Sequence, residues 1–246
     1  MRVFLPESQR FYLESALPRL YRQRFSRHIL DRRNAVWRIL CQNWLGRYIP
    51  RDASVLEVGA GYCEFINNIE ADQRVAVDLN PHTRIHAGAG VSVHEIGADR
   101  LMERIGAGSF DVVFMSNFLE HCQSRDQVLA VLANVALALR PGGRVLILGP
   151  NFRYCYKRYF DFFDHHLPLS EHAVVEAIRL AGFEPEEVRP RTLPYSFSCG
   201  LPAWPWLVRW YLRIPWVWPL FGAQFFVVGR KREADAGSAL SFQRAA

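Results

Sequence analysis

The chain has 246 residues, half of them hydrophobic, enough to bury a full core as one domain with additions. Its five cysteines (Cys41, Cys63, Cys122, Cys155 and Cys199) are odd in number and form no C-x-x-C pair, which argues against a disulfide framework or a zinc site and predicts a reducing, cytoplasmic setting. The net charge of +6 is uneven: residues 1–51 hold 11 arginines against 3 acids, a net of +8, and the remainder carries −2. Such a segment suits anionic lipid, phosphorylated substrates or nucleic acid, but no zinc knuckle or aromatic RNA-binding motif accompanies it, so no nucleic-acid partner is expected. The first residues lack the apolar stretch of a signal peptide.

In chain order, residues 8–29 and 31–48 are predicted to be helical, with Val36, Ile39, Leu40 and Trp44 on one stripe; residues 1–50 are expected to form a basic helical extension. Pro50 and Asp52 break before a first strand at 54–59. Then come a helix at 63–70, a second strand at 74–78 closed by Asn80-Pro81, a third at 91–96 and a short helix at 99–105. A turn at 106–109 leads to a fourth strand at 110–115 and a helix at 124–139, which Arg140-Pro141-Gly142-Gly143 ends. A fifth strand at 144–148, a helix at 170–181 with Ser170 as N-cap, and strands at 184–190 and 224–229 follow. Strands alternating with helices predict an α/β, Rossmann-like, mostly parallel seven-stranded sheet covered on both faces, spanning 51–232, with a disordered tail at 233–246.

The first strand runs into Gly59-Ala60-Gly61, and the second ends in Asp78. Glycines after a strand let backbone approach a ligand, and an acid at the end of the next strand suits a ribose diol. A dinucleotide fingerprint would place a third glycine where Glu64 stands; a carboxylate there would repel a pyrophosphate. Glu57, inside the first strand, adds negative charge. The pattern favours S-adenosylmethionine (SAM), which has a ribose, an ammonium and a sulfonium but no phosphate. A nicotinamide reductase would also want Tyr-x-x-x-Lys, and no tyrosine here has a lysine four residues on.

At Glu57-Val-Gly59-Ala-Gly61-Tyr-Cys63 the chain resembles the class I SAM-dependent methyltransferases, with Cys63 where that family usually has a third glycine. The resemblance covers about residues 35–232 and implies an antiparallel last strand. It implies that Glu57, Gly59, Ala60, Gly61, Asp78 and Leu79 bind SAM, that Asp99 holds the adenine amino group, and that backbone at Ser116 and Asn117 meets the SAM ammonium. A segment ending in Glu120-His121 lines cofactor and acceptor in that family, which makes His121 a candidate catalytic residue. Asn117-Phe-Leu-Glu-His, Pro150-Asn-Phe-Arg-Tyr and Asp161-Phe-Phe-Asp-His-His-Leu-Pro-Leu-Ser together resemble a bacterial subgroup found with glycosyltransferases of surface polysaccharide synthesis. That implies a sugar hydroxyl, free or lipid-linked, as acceptor; a small aromatic or quinone acceptor and a non-catalytic SAM-binding scaffold are the alternatives.

The segment after the fifth strand, rich in aromatics and ending in Asp161, Asp164, His165 and His166, stands where an acceptor lid belongs. His165 or His166 could serve as general base, oriented by Asp161 or Asp164. No metal is expected, since adjacent histidines point apart on an extended chain. Residues 201–221 crowd five tryptophans and four prolines together with only Arg209 and Arg213 charged. The prolines and arginines argue against a membrane span. The composition predicts a hydrophobic cap over the acceptor pocket or a dimer contact, or else a short amphipathic helix at 204–214 suited to peripheral contact with the inner face of a membrane.

Overall fold

The structure, a computed structural model, describes residues 27–195 and 204–233. The expected helix at 8–29 lies mostly outside them, as do Cys199, residues 201–203 of the Trp-rich segment and the tail from 234. Seven strands form one sheet: β1 (Ser54–Val58), β2 (Gln73–Val77), β3 (Val91–His94), β4 (Phe110–Ser116), β5 (Leu139–Pro150), β6 (Phe183–Arg189) and β7 (Gln224–Lys231). Their order is β3-β2-β1-β4-β5-β7-β6. The first five are joined by parallel pairings. β7 is antiparallel to both β5 and β6, so the sheet is mixed. The chain goes from β1 to β2 on one side and returns to β4 on the other. A crevice therefore opens at the carboxyl ends of β1 and β4.

The helices are α1 (Arg27–Asn43), α2 (Thr83–His86), α3 (Arg125–Ala138), α4 (Phe152–Tyr159), α5 (Glu171–Leu180), α6 (Pro205–Arg213) and α7 (Trp218–Phe221). Side chains alternate across each strand. Leu56, Val58, Val113 and Met115 pack with α3 and α5 on one face. Val55, Phe114, Leu146 and Phe226 pack with α1, α6 and α7 on the other. Ser124 and Ser170 cap α3 and α5 through their hydroxyls, which accept the N–H of Gln127 and Ala173.

Three expectations change. The N-terminal helix is part of the domain core, not an appendage. Its apolar stripe is buried, with Trp37 edge-on to Phe65 and Phe114 at 6.5 and 6.1 Å and Trp44 against Trp218 and Phe226 at 5.3 and 4.8 Å. Each such ring contributes about 1.5–3 kcal/mol by leaving water. The helix expected at 63–70 shrinks to a 3-10 turn at Ile66–Asn68. Asn67 and Asn68 spend their amides on His86, Gly88, Glu64 and Asn34, and such side-chain bonds compete with helix. The segment after β5 contains α4, capped by Asn151, whose side chain accepts the N–H of Arg153.

Candidate active site

The glycine turn is tightly built. Gly59 has φ +73, and a Cβ there would lie 2.4 Å from Phe118 Cδ2; only glycine fits. Gly61 donates its N–H to Asp78 Oδ2 at 2.7 Å, and Asn80 donates to Asp78 Oδ1 at 2.7 Å. The acid at the end of β2 is thus tied to the turn after β1. Burial raises its pKa, opposed by these N–H groups. Cys63 adopts φ +59, the left-handed conformation that glycine takes without strain, and its fully buried thiol faces the Thr83 carbonyl at 3.6 Å. Burial pushes that thiol up, away from the reactive thiolate.

Glu57 is buried, and its Oε2 accepts the N–H of Ile66 at 3.1 Å. Burial holds its carboxyl well above the usual carboxylate range. Glu64 does not face a ligand as a free charge: Arg33 of α1 donates to it at 2.6 Å. Its charge is therefore not what would exclude a pyrophosphate. With only a 3-10 turn after the glycines, the helix N-terminus that would cradle a pyrophosphate is missing there.

One cavity of about 780 Å³ runs from this turn across the ends of β1 and β4 to a polar cluster, and on beneath α6. Glu57, Gly59, Ala60, Gly61, Ser116 and Asn117 line the end at the glycine turn. Asn117 holds φ +48, and its N–H donates to the Leu148 carbonyl at 2.8 Å, which locks the turn after β4. Asp78 and Leu79 sit at the end of β2 but outside the cavity lining, and Leu79 is exposed. Asp99 is also outside the lining; it is exposed at the head of a 3-10 turn (Ala98–Glu103), its carbonyl accepting from Asn134.

In the polar cluster stand Glu120, His121 and His165. Two backbone bonds assemble them: the Glu120 carbonyl accepts the N–H of His166 at 2.8 Å and of Leu167 at 3.2 Å. The His165 ring is thereby brought within 5.1 Å of the His121 ring and stacks on Phe162. His121 Nδ1 lies 2.8 Å from the Asp164 carbonyl and 3.4 Å from its carboxylate. A carbonyl only accepts, so Nδ1 carries the proton and Nε2 is the basic nitrogen of the neutral ring. Asp164 thus orients His121. His166 is exposed and outside the cavity, joined to the site only through its backbone.

Glu120 stands beside His121 in the same polar cluster. It is 2 % exposed, and its Oε1 has no hydrogen-bond partner among the described residues. Burial pushes its carboxyl up to about 7. The signal in the sequence was its place in Glu120-His121, but nothing local reveals its burial. Ligand atoms of Glu120, His121 and His165 lie within 4.8 Å of one another, the one group among the described residues spaced to hold a metal. The set Asp161, Asp164, His165 and His166 does not converge: Asp161 pairs with Arg158 at 3.6 Å and His166 faces solvent.

The fold and site have relatives. Residues 22–188 match the profile of a family described as a methyltransferase domain. A SAM-dependent methyltransferase from Archaeoglobus fulgidus superposes with a TM-score of 0.60 at 16 % identity, over 89 % of this chain and 100 % of that one. One from Thermotoga maritima gives 0.56 at 18 % identity, over 92 % and 95 %. A methyltransferase of Haloferax volcanii, solved with the activator Trm112, gives 0.60 at 14 % identity, over 90 % and 96 %. No curated protein matches the sequence. With its glycine turn braced by the acid at the end of β2, its seven-stranded sheet and more than half its length inside the family profile, the chain belongs to the methyltransferase-domain family.

Proposed function

We propose that the protein is a SAM-dependent methyltransferase acting on a hydroxyl, with a sugar of a surface glycan or of its lipid-linked intermediate as acceptor. The observation that carries this reading is the single cavity joining the glycine turn to the oriented His121. Its volume is within the range of small-molecule sites. Bound at the glycine turn, SAM supplies an electrophilic methyl group. Glu57 is a buried acid whose ionised form a cationic ligand would favour, and Asp78, beside the cavity and with both oxygens held by backbone N–H groups, keeps lone pairs for a ribose diol that reaches past the turn. His121 takes the acceptor proton on Nε2 as the oxygen attacks, and Asp164 keeps the ring in that tautomer. Glu120 and His165 offer hydrogen bonds to the acceptor, and the apolar wall of Leu193, Leu207, Val208 and Ile214 suits a lipid-borne tail.

Calorimetric titration with SAM, with NADH as control, tests the cofactor assignment. Micromolar SAM binding without an NADH response is expected; no SAM response with or without acceptor would overturn it. Lipid-linked sugars are the acceptors to assay first, and transfer only to small aromatics would replace the sugar reading.

A further inference from the structure

α6 presents an unusual pair of faces. Leu207, Val208, Tyr211 and Ile214 look into the cavity. The residues turned to solvent should then be polar, as on an ordinary surface helix. Instead they include Trp206 and Trp210, and exposed Trp204 stacks on Trp206 at 5.7 Å. The chain continues through Trp216, 77 % exposed, and Leu220, 67 % exposed. Residues 204–221 contain no acid, and their only charges, Arg209 and Arg213, are both exposed. Arg213 lies 5.9 Å over the Trp210 ring. An apolar rim of this kind marks an interaction surface. No described helix is long and apolar enough to cross a membrane.

We propose that this face docks on an anionic lipid bilayer, with the tryptophans at headgroup depth and Arg209 and Arg213 on lipid phosphates. The charge decides between occupants. A second copy would bring two such acid-free faces together, arginine against arginine. The chain's own N-terminal segment is strongly basic and is repelled for the same reason. A bilayer carrying negative headgroups meets both the rings and the charges. Trp210 and Phe221 are at once exposed and part of the cavity wall, so the mouth opens on the docked face. A lipid-linked acceptor then reaches His121 without leaving the membrane. This last step rests on the proposed function; the docking itself does not.

The test is flotation of the full chain with vesicles of phosphatidylcholine alone and of phosphatidylcholine mixed with phosphatidylglycerol. The wild type is expected to float with the mixed vesicles, with a blue shift of tryptophan fluorescence, and to be released by salt. Trp206→Ser combined with Trp216→Ser, and separately Arg209→Glu combined with Arg213→Glu, should each weaken binding at least about tenfold. None of these four residues lines the cavity, and SAM titration of each variant reports whether it is folded. Equal flotation of wild type and both variants would assign binding to the basic N-terminal segment and overturn the proposal. So would a wild type that ignores mixed vesicles, or one that dimerises through these tryptophans. Loss of SAM binding in the wild type would overturn the proposed function and leave the flotation result standing.

Discussion

Glu120→Gln separates the acceptor cluster's electrostatics from its shape. Burial, the leading cause, pushes the Glu120 carboxyl up to about 7 in the folded chain from an ordinary 4.5. Its folded pKa is raised, so between those values the folded state holds more protons than the unfolded one. Stability must then fall as pH rises from about 4.5 through 7, and stay low above. The difference corresponds to about 3 kcal/mol at pH 8. Glutamine keeps the shape and removes the titration, although its amide brings its own desolvation cost at every pH. The informative quantity is therefore how the melting difference between variant and wild type changes with pH. From pH 5 to pH 8 it should move in favour of Glu120→Gln by about 5–10 °C. Glu57, whose pKa is also raised, is present in both proteins and cancels. Calorimetric scans in matched ionic strength would measure it. A pH-independent difference would mean that Glu120 is solvated as a carboxylate, and the desolvated acceptor wall would be wrong.

Asp78→Ala should weaken SAM binding at least tenfold, from the loss of charge-assisted bonds to the ribose, and calorimetry showing unchanged affinity would remove Asp78 from the site. His121→Ala should lower kcat by about 10²–10⁴ with SAM affinity unchanged. Asp164→Asn should cost only about tenfold, because the carbonyl contact at 2.8 Å survives while the carboxylate at 3.4 Å is lost; equal losses in steady-state assays would deny the orienting role. Gly59→Ala should destabilise by about 2–4 kcal/mol, since φ +73 strains an L-residue and the new methyl strikes Phe118. Thermal melting should show a fall of about 5–15 °C, partly restored by Phe118→Leu.

What could be read from the sequence is what local chemistry decides. The apolar runs of β1, β4 and β5 are unmistakable because these strands are covered on both faces, and Ser124 and Ser170 announce helix starts through bonds three residues away. The helix at 63–70 failed for the opposite reason. Its residues have helical pattern, but Asn67 bonds His86 and Gly88, and Asn68 bonds Asn34, partners that only the folded chain supplies. The place of α1 in the core was hidden likewise. Arg33 reads as one more surface arginine until Glu64, 31 residues on, is found beside it. Asp99 and His166 carry suitable chemistry, but both face solvent outside the cavity, and residue type alone cannot report that.

The two ends of the cavity differ in legibility because they are built differently. The glycine-turn end is made of consecutive backbone, Gly59 to Gly61, braced from outside the lining by Asp78 of the neighbouring strand, so a short motif encodes it. The acceptor end is made by a long-range docking. Residues 164–167 reach back to the turn at 119–121, where the Glu120 carbonyl takes two N–H groups and the Asp164 carbonyl fixes His121. Those contacts use backbone atoms, so they leave little trace in side-chain pattern. They also tie His121 and His165 to the turn after β4, while the aromatic roof on α6 packs against α1 through buried Leu212, with Trp218 on Trp44 and the Tyr211 hydroxyl on the Thr192 carbonyl. The roof is thus set by side-chain packing between helices, and the turn below it by backbone bonds between distant segments, which is why only the glycine turn can be read from a short motif.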